Sequence, residues 1–338
     1  MKKLIALLLL IATFTCLFAA CKKPDEENDE TVIKIAYMNG PTGMGIAKLI
    51  HDNGGIDGNN KYEFVKYSDA SLAAADLVAG NVDMACLPTN TAATIYNKRG
   101  HAVQALAINC LNSLFLMTKT GTTIENLSDL EGKTIYTIQN GTPATILNHI
   151  LSENNINATV KTSIGEGDDK KTITAPTDLA PLMINGSVDI ALVPEPVATA
   201  APLKISTMNK DYSYSVAINI TDAWATVSDS PVAMGCILAN KKFVSEHKSV
   251  VDRFLEEYKA SINYIADPKN IDTSAQYIVD AGVLDAVGAA KKSLTNLGSA
   301  IAYSDGDEMK TTLVAFYTAI GASMTGGALP DDEFYYKK

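Results

Sequence analysis

The sequence has few cysteines and no spacing that would indicate a disulfide framework. Apart from Cys16 and Cys21, only Cys86, Cys110 and Cys236 remain, an odd number for a cross-linked scaffold. Cys86 and Cys236 lie inside apolar strand patterns, so we expect them to be small buried side chains. The fold must therefore rest on its hydrophobic core, for which a 47% hydrophobic composition is ample.

The chain also lacks the patterns that mark metal sites and common catalytic centres. Its histidines have neither metal-ligand spacing nor cysteine partners: His51, His101, His149 and His247. There is no Gly-x-Ser-x-Gly motif. The segment 132–134 resembles the end of a phosphate-binding loop, but Leu127 stands where the first glycine is required. We expect no metal, no cofactor and no enzymatic activity.

The chain has fewer basic than acidic residues: 28 lysines and arginines and 38 aspartates and glutamates. Its net charge is therefore −10. Nucleic-acid binding needs a basic face, so this charge argues against a nucleic-acid partner. A small anionic ligand stays compatible with the sequence, because a local field can oppose the net charge.

Long apolar runs are absent except at the N-terminus. The run 4–14 follows Lys2-Lys3 and is too short to span a bilayer comfortably. This combination predicts a signal peptide over residues 1–20. The alternatives are an ordinary signal peptide without lipidation and an uncleaved anchor.

Small residues directly before Cys21 resemble a bacterial lipobox, which predicts lipidation of that cysteine and attachment to the membrane. Phe18 departs from the pattern, where a smaller aliphatic residue is usual. The segment 21–31 is charged and poor in apolar residues, so we expect it to be a disordered tether.

Two stretches, 80–92 and 186–198, share the pattern Gly-x-Val-Asp-x-Ala-x-x-Pro. Each follows a helical pattern, continues as a short apolar run typical of a buried strand, and stops at a proline before another helix pattern. Chance recurrence of common turns is the alternative, but the order of elements repeats as well. A strand that leads to a helix N-terminus is where open α/β sheets bind ligands.

A second pair of strands, 32–38 and 134–138, supports this repeat because both run into an Asn-Gly turn. Alternating strands and helices predict parallel sheets in two α/β lobes. We expect chain crossings near 112–114 and 240–242. Lobe 1 would then contain 32–112 and 242–338, and lobe 2 would contain 113–241, with the helical C-terminal part packed over lobe 1.

The whole chain resembles the solute-binding lipoproteins of bacterial ABC importers in the nitrate, sulfonate and taurine group, together with the related thiamine-precursor binding proteins. The matching segments are 32–45, 129–135, 186–196, 254–258 and 329–336. The resemblance implies a type II periplasmic-binding-protein fold with two Rossmann-like lobes and two hinge crossings. It further implies a monomeric, extracytoplasmic, lipid-anchored receptor that passes a small solute to an ABC permease and its ATPase. An enzyme on the same fold and a ligand-sensing lipoprotein are the alternatives.

Candidate ligand-binding residues follow the predicted strand ends or lie close to them. They are Asn39, Gly40, Pro41, Thr42, Gly43, Met44, Ser68, Thr89, Asn90, Asn140, Gly141, Thr142, Glu195 and Trp224. Backbone N–H groups at glycines and helix N-termini favour anionic groups, although these turns can equally be plain strand-to-helix connections.

Two of these candidates carry specific alternatives. Glu195, between two prolines, can accept from an amine or amide of a ligand, or can stabilise a helix N-terminus. Trp224 can wall the cleft or belong to the core. The ligand class expected is a small polar anion or zwitterion, sulfonate- or taurine-like, or a nitrogenous heterocycle.

Overall fold

The fold is that of a computed structural model, which describes residues 30–58, 61–139 and 142–338. The predicted signal peptide, the lipidation of Cys21 and nearly all of the tether lie outside the described residues. Two candidate ligand-binding residues, Asn140 and Gly141, lie outside them as well.

The described strands follow the alternation expected from the sequence. They are β1 (Ile33–Met38), β2 (Tyr62–Tyr67), β3 (Met84–Pro88), β4 (Val103–Leu111), β5 (Leu114–Lys119), β6 (Thr134–Tyr136), β7 (Thr159–Lys161), β8 (Ser163–Ile164), β9 (Lys171–Thr172), β10 (Ile190–Pro194), β11 (Tyr214–Asn219), β12 (Ala233–Asn240) and β13 (Ser304–Asp305).

The described α-helices are α1 (Pro41–Met44), α2 (Ala47–Asp52), α3 (Ala70–Ala79), α4 (Thr89–Lys98), α5 (Thr142–Glu153), α6 (Pro176–Ile184), α7 (Val197–Thr207), α8 (Ile220–Trp224), α9 (Lys241–Glu246), α10 (Lys248–Ala266), α11 (Ile271–Asp280), α12 (Val287–Leu297) and α13 (Gly306–Ile320). Short 3-10 turns cover Leu127–Leu130, Gly167–Asp169, Pro268–Asn270, Gly298–Ala300, Ala322–Thr325 and Asp332–Phe334.

The first lobe is built on a sheet with the strand order β13-β4-β12-β3-β1-β2. Strand β1 pairs in parallel with β2 and β3, as expected for strands joined through helices. Strand β12, however, runs antiparallel to both β3 and β4. The expectation of a wholly parallel sheet is therefore wrong for this lobe.

The second lobe contains a sheet with the order β11-β5-β10-β6-β7. Strand β6 is parallel to β7 and β10, whereas β5 is antiparallel to β10 and β11. Strand β5 enters directly from β4 through two residues, too few for the helical crossover that parallel neighbours require. In each lobe the strand next to a crossing, β12 or β5, therefore runs antiparallel to its neighbours, and in lobe 1 the short edge strand β13 is antiparallel to β4 as well.

The two crossings lie side by side and hydrogen bond to each other. The Asn112 N–H donates to the Val232 carbonyl at 3.0 Å, and the Val232 N–H donates to Asn112 Oδ1 at 3.0 Å. Because β12 pairs in the sheet of lobe 1, the chain returns between Trp224 and Ala233. The predicted return at 240–242 is therefore wrong, since β12 itself belongs to lobe 1.

One apolar core runs through both lobes. It joins Leu87 and Phe316 of lobe 1 to Leu116, Leu192 and Trp224 of lobe 2, all buried. A second cluster lies between the lobe 1 sheet and helices α10 to α12, so the C-terminal helices cover lobe 1 as expected. A third cluster fills the other side of lobe 2. The lobes are therefore joined by shared core as well as by the two chain crossings.

The cysteines of lobe 1 are free and buried, namely Cys86, Cys110 and Cys236. The expectation that Cys86 and Cys236 are small buried side chains is confirmed. Burial raises the pKa of the Cys86 thiol to about 12, which keeps it protonated at neutral pH. Over the described ranges, no helix combines the length and apolar character needed to cross a bilayer.

Candidate ligand-binding site

A cavity of about 1540 Å³ lies between the two lobes. Lobe 1 lines it with the loop after β1 and with the faces of α3 and α4. Lobe 2 lines it with the first turns of α5, α6 and α7 and with the loop after β10. The carboxyl ends of the parallel strands meet here, as they do in ligand-binding α/β proteins generally.

Helix N-termini from both lobes surround this cavity. The first turns of α3, α4, α5, α6 and α7 all contribute lining residues. Each helix N-terminus carries a partial positive charge from its unpaired N–H groups. The cavity therefore favours negative or strongly polar ligand groups, even though the protein as a whole is acidic.

Neutral polar side chains supply most of the other hydrogen-bonding groups. They are Asn39, Thr42, Ser68, Ser71, Asn90, Thr91, Thr94, Ser113, Thr142, Thr174 and Thr177. Among the described lining residues there is no histidine, cysteine or tyrosine. The described residues contain no group of His, Cys, Asp and Glu side chains suited to a metal ion.

Four charged side chains line the cavity. Lys98 and Arg99 are exposed at the C-terminal end of α4. Asp69 caps α3, because its Oδ1 accepts a hydrogen bond from the Ser71 N–H at 2.7 Å. Glu195 lies in the wall formed by lobe 2.

Glu195 is held at the junction of the lobes and is only 2% exposed. Its N–H donates to the Ser113 carbonyl at the first crossing, at 3.1 Å. Its Oε1 accepts hydrogen bonds from Thr199 Oγ1 at 2.9 Å and from Asn296 Nδ2 at 2.8 Å. Its Oε2 is buried without a hydrogen-bond partner. Burial raises the pKa of the carboxyl group, and the hydrogen bonds from Asn296 and Thr199 oppose this rise only in part.

The loop after β1 reaches the cavity because two glycines let it turn sharply. Gly40 has φ 95°, and a Cβ at this position would lie 3.7 Å from the Glu195 carbonyl oxygen of lobe 2, in van der Waals contact with it. At Gly43 a Cβ would lie 1.9 Å from the Met38 carbonyl oxygen. The Asn39 side chain is thereby presented at the end of β1, next to lobe 2.

The NMT1/THI5-like family model matches residues 63–271, which is more than half of the 338 residues. The chain belongs to the NMT1/THI5-like family. The family resemblance inferred from the sequence is confirmed. No curated protein matches this NMT1/THI5-like chain.

Solved structures share the two-lobed architecture of this NMT1/THI5-like chain at low sequence identity. An ABC transporter protein from Parabacteroides distasonis is 21% identical over 91% of this chain and 99% of its own, with a TM-score of 0.71. The ligand-binding component of an ABC-type import system from Staphylococcus aureus, with zinc bound, is 14% identical over 90% and 96%, with a TM-score of 0.67. The periplasmic aliphatic sulphonate binding protein SsuA from Escherichia coli is 13% identical over 90% and 92%, with a TM-score of 0.65. The predicted type II periplasmic-binding-protein fold is confirmed.

Most of the residues predicted from the sequence line the cavity of this NMT1/THI5-like chain. They are Asn39, Gly40, Pro41, Thr42, Ser68, Asn90, Thr142 and Glu195. Gly43, Met44, Thr89 and Trp224 do not line it. For these four the structure corrects the prediction.

Structural roles explain the first three of these corrections. Gly43 is required where α1 packs against the end of β1, and Met44 is fully buried in the core beneath α10. Thr89 is fully buried as well: its Oγ1 donates to the Ala233 carbonyl at 2.5 Å, and the Tyr317 hydroxyl donates to its carbonyl at 2.8 Å. Thr89 therefore connects α4 to β12 and α13.

Trp224 belongs to the core, the alternative that the sequence left open. It is 2% exposed, and its indole N–H donates to the Ser230 carbonyl at 2.7 Å. Its ring packs edge-on against Phe316 of lobe 1, with 6.0 Å between ring centroids. Trp224 thus joins the lobes behind the cavity.

Sequence reasoning missed several lining residues. Thr174 and Thr177 flank the start of α6, where Asp178 Oδ2 accepts from the Thr174 and Ala175 N–H groups at 2.8 and 3.0 Å. A Pro and Asp at the start of a helix pattern are a recognisable signal for this turn. Met234 was missed because its strand, β12, was assigned to the wrong lobe.

Proposed function

We propose that this NMT1/THI5-like protein is the solute-binding component of an ABC importer. The observation that carries the proposal is the cavity between two α/β lobes, lined from both and surrounded by helix N-termini. Of the three solved structures described above, one is an ABC transporter protein, one the ligand-binding component of an ABC-type import system and one a periplasmic sulphonate binding protein. They support the proposal by their architecture.

The proposed ligand is a small polar anion or zwitterion. Helix N-termini and neutral donors favour its anionic group, and Lys98 and Arg99 add positive charge at the edge. Glu195 is a buried acceptor in the opposite wall, which disfavours a bare anion and suits a ligand that also carries an N–H group. An aminosulfonate and an aminopyrimidine are two ligands of this class.

Binding without catalysis is the role that the described lining residues support. General acid-base chemistry requires a positioned pair of titrating groups. Of the two carboxylates in the lining, Asp69 is engaged as a helix cap and Glu195 is held by Thr199 and Asn296.

The protein is proposed to act outside the cytoplasm, tethered through a lipid on Cys21, as a monomer that delivers its solute to a permease and ATPase. Two acyl chains hold a protein on a membrane stably, whereas one does so only marginally. Replacing Cys21 with serine should move the protein from the membrane fraction to the soluble fraction of the producing cells. A wild-type protein that is already soluble there would contradict the anchor.

Native mass spectrometry of the purified protein tests the proposed function. We expect one retained small molecule of the proposed class, released on denaturation and rebound unchanged after refolding. Small-angle scattering with this ligand should show a smaller radius of gyration than without it, because a ligand that touches both lobes favours their closed arrangement. Conversion of the ligand into a product on incubation would instead establish an enzyme.

A further inference from the structure

The cavity wall at Glu195 is assembled from both lobes. Glu195 and Thr199 belong to lobe 2, at the end of β10 and in the first turn of α7. Helix α12 belongs to lobe 1, since its residues Ala290 and Leu294 are buried in the core beneath the lobe 1 sheet. Helix α12 packs against α7 of lobe 2, and this contact between the lobes is formed by residues far along the chain from either crossing.

Asn296 of α12 makes the polar connection between these elements. Its Nδ2 donates to Glu195 Oε1 at 2.8 Å and lies 3.0 Å from Thr199 Oγ1, to which it also donates. Thr199 Oγ1 in turn donates to Glu195 Oε1 at 2.9 Å. One amide from lobe 1 therefore satisfies two groups of lobe 2 within a closed triangle of hydrogen bonds.

The remaining polar atoms of this cluster are buried and unpaired. Glu195 Oε2 has no hydrogen-bond partner, and neither has the hydroxyl of Ser293, which comes from the same helix as Asn296 and faces the carboxyl group. A buried polar atom without a partner is costly compared with the same atom in water. When the lobes meet, the contact forms hydrogen bonds but leaves Glu195 Oε2 and the Ser293 hydroxyl without partners. When the lobes separate, these two atoms can hydrogen bond to water.

Neutral groups surround the carboxyl. Those that act on its pKa are Asn296, Thr199 and Ser293. The lysines of α7 and α12 do not pair with the Glu195 carboxyl group. Lys291 of α12 forms an ion pair with Asp272 at 2.6 Å, and Lys204 lies in the last turn of α7, away from Thr199 in its first turn. Lys292, also on α12, is exposed.

We propose that Glu195, Thr199 and Asn296 form a polar lock between the lobes at the edge of the ligand cavity, in which Asn296 is the positioning residue for Glu195. The lock closes when α12 and α7 meet and opens when the lobes separate and water reaches the carboxyl. The apolar contact of Trp224 with Phe316 stays in place as the pivot. This goes beyond the proposed function and can be tested without any ligand.

Amide hydrogen exchange of the ligand-free full-length protein tests the lock. Asn296→Ala should raise the exchange rate about tenfold in peptides covering the first turn of α7 and the C-terminal half of α12. A tenfold change corresponds to a loss of about 1.4 kcal/mol in the free energy of local opening. Thr295→Ala is the matched control, because Thr295 is exposed on the same helix and its hydroxyl donates only to Lys291 of that helix. Unchanged exchange in Asn296→Ala, or faster exchange spread over both sheets, would overturn the lock.

Two further variants separate the lock from simple loss of packing. Glu195→Gln keeps the acceptor Oε1 and turns the unpaired oxygen into a donor that faces Ser293, so exchange should be no faster than in the wild type. Asn296→Asp places a second carboxyl against Glu195. Its exchange should be fast at neutral pH, where both groups repel, and return toward the wild-type rate at acidic pH. Fast exchange in Glu195→Gln, or no pH effect in Asn296→Asp, would contradict the proposed geometry.

Discussion

Gly43 shows how one residue shapes the cavity without lining it. Its N–H donates to the Gly40 carbonyl at 3.0 Å, and its Cα lies so close to the end of β1 that a Cβ has no space. The tight turn it permits places Asn39 to Thr42 at the cavity. The position of the loop 39–42 at the cavity thus depends on the close contact of Gly43 with the backbone at the end of β1.

Gly43→Ala should lower the free energy of unfolding by more than ~2 kcal/mol, since overpacking alone typically costs ~1–3 kcal/mol and here the clash is with backbone. Gly288→Ala, at a helical position with open space around it, is the control and should be neutral or stabilising by up to ~1 kcal/mol. Urea unfolding of both variants measures the difference. Equal stability of the two would show that the turn can relax.

The buried carboxyl group of Glu195 should make the free energy of unfolding depend on pH. Burial raises the pKa of its carboxyl group in the folded protein above its value in the unfolded chain. The folded state therefore binds more protons, and the contribution of Glu195 to stability is full below the unfolded pKa and is lost as pH rises through the folded pKa.

The stability of the wild type relative to Glu195→Gln should accordingly fall between about pH 4 and the raised folded-state pKa, and level off above it. Urea unfolding of both proteins across this range measures the difference. The comparison removes the contribution of all other titrating groups. A difference that rises with pH would mean that the folded protein favours the ionised carboxylate.

At the scale of elements, the C-terminal segment 331–336 completes lobe 1 with no more regular structure than a short 3-10 turn and one bridge from Tyr335 to Ala105. The Tyr336 N–H donates to the Ala105 carbonyl at 2.9 Å beside the edge of β4. Phe334, Tyr335 and Tyr336 are all buried, and the Tyr96 hydroxyl donates to Asp331. Tyr335 and Tyr336 therefore pack against lobe 1 and do not line the cavity.

Removal of residues 331–338 should destabilise the protein by more than ~5 kcal/mol, because each buried aromatic residue removed from a core costs ~3–5 kcal/mol. Removal of Lys337 and Lys338 alone is the control. It breaks only their exposed ion pairs with Asp307 and Glu256, which are worth ~0–1 kcal/mol each. Thermal unfolding compares the two truncations, and equal midpoints would contradict a structural role for the aromatic residues.

At the scale of the whole molecule, the shared core makes the two lobes one folding unit. Trp224 of lobe 2 packs on Phe316 of lobe 1, and the apolar cluster continues through both central sheets. A two-lobed chain linked only by its crossings would have no such contact. Motion of the lobes is therefore expected about this core rather than through it.

Unfolding in urea should accordingly be a single transition. The fluorescence of Trp224, the sole tryptophan of the chain, reports on the core where lobe 2 meets Phe316 of lobe 1, and far-UV circular dichroism reports on the secondary structure of both lobes. The two curves should coincide, as for a two-state domain. A fluorescence midpoint well separated from that of the dichroism would show that the lobes unfold independently.

The sequence predicted the elements well because their signals are local. The strands predicted at 32–38 and 134–138 are β1 (Ile33–Met38) and β6 (Thr134–Tyr136), within a residue or two of the predicted bounds. The strands predicted within 80–92 and 186–198 are β3 and β10, and each stops at the predicted proline. The cavity residues that follow predicted strand ends were found by the same signals. Thr89 and Trp224 were misplaced because a capping or aromatic side chain has the same local pattern whether it faces a cavity or a core.

The sequence by itself determined that this chain forms two α/β lobes with polar turns at the ends of their strands, since periodicity and turn residues act within a few positions. Only the tertiary structure decided the lobe to which β12 belongs, because an apolar run can pair with any open strand edge. It alone brought Asn296 to Glu195, a hundred positions away along the chain. Such a contact depends on how helices pack across the lobe interface, and no local pattern records that packing.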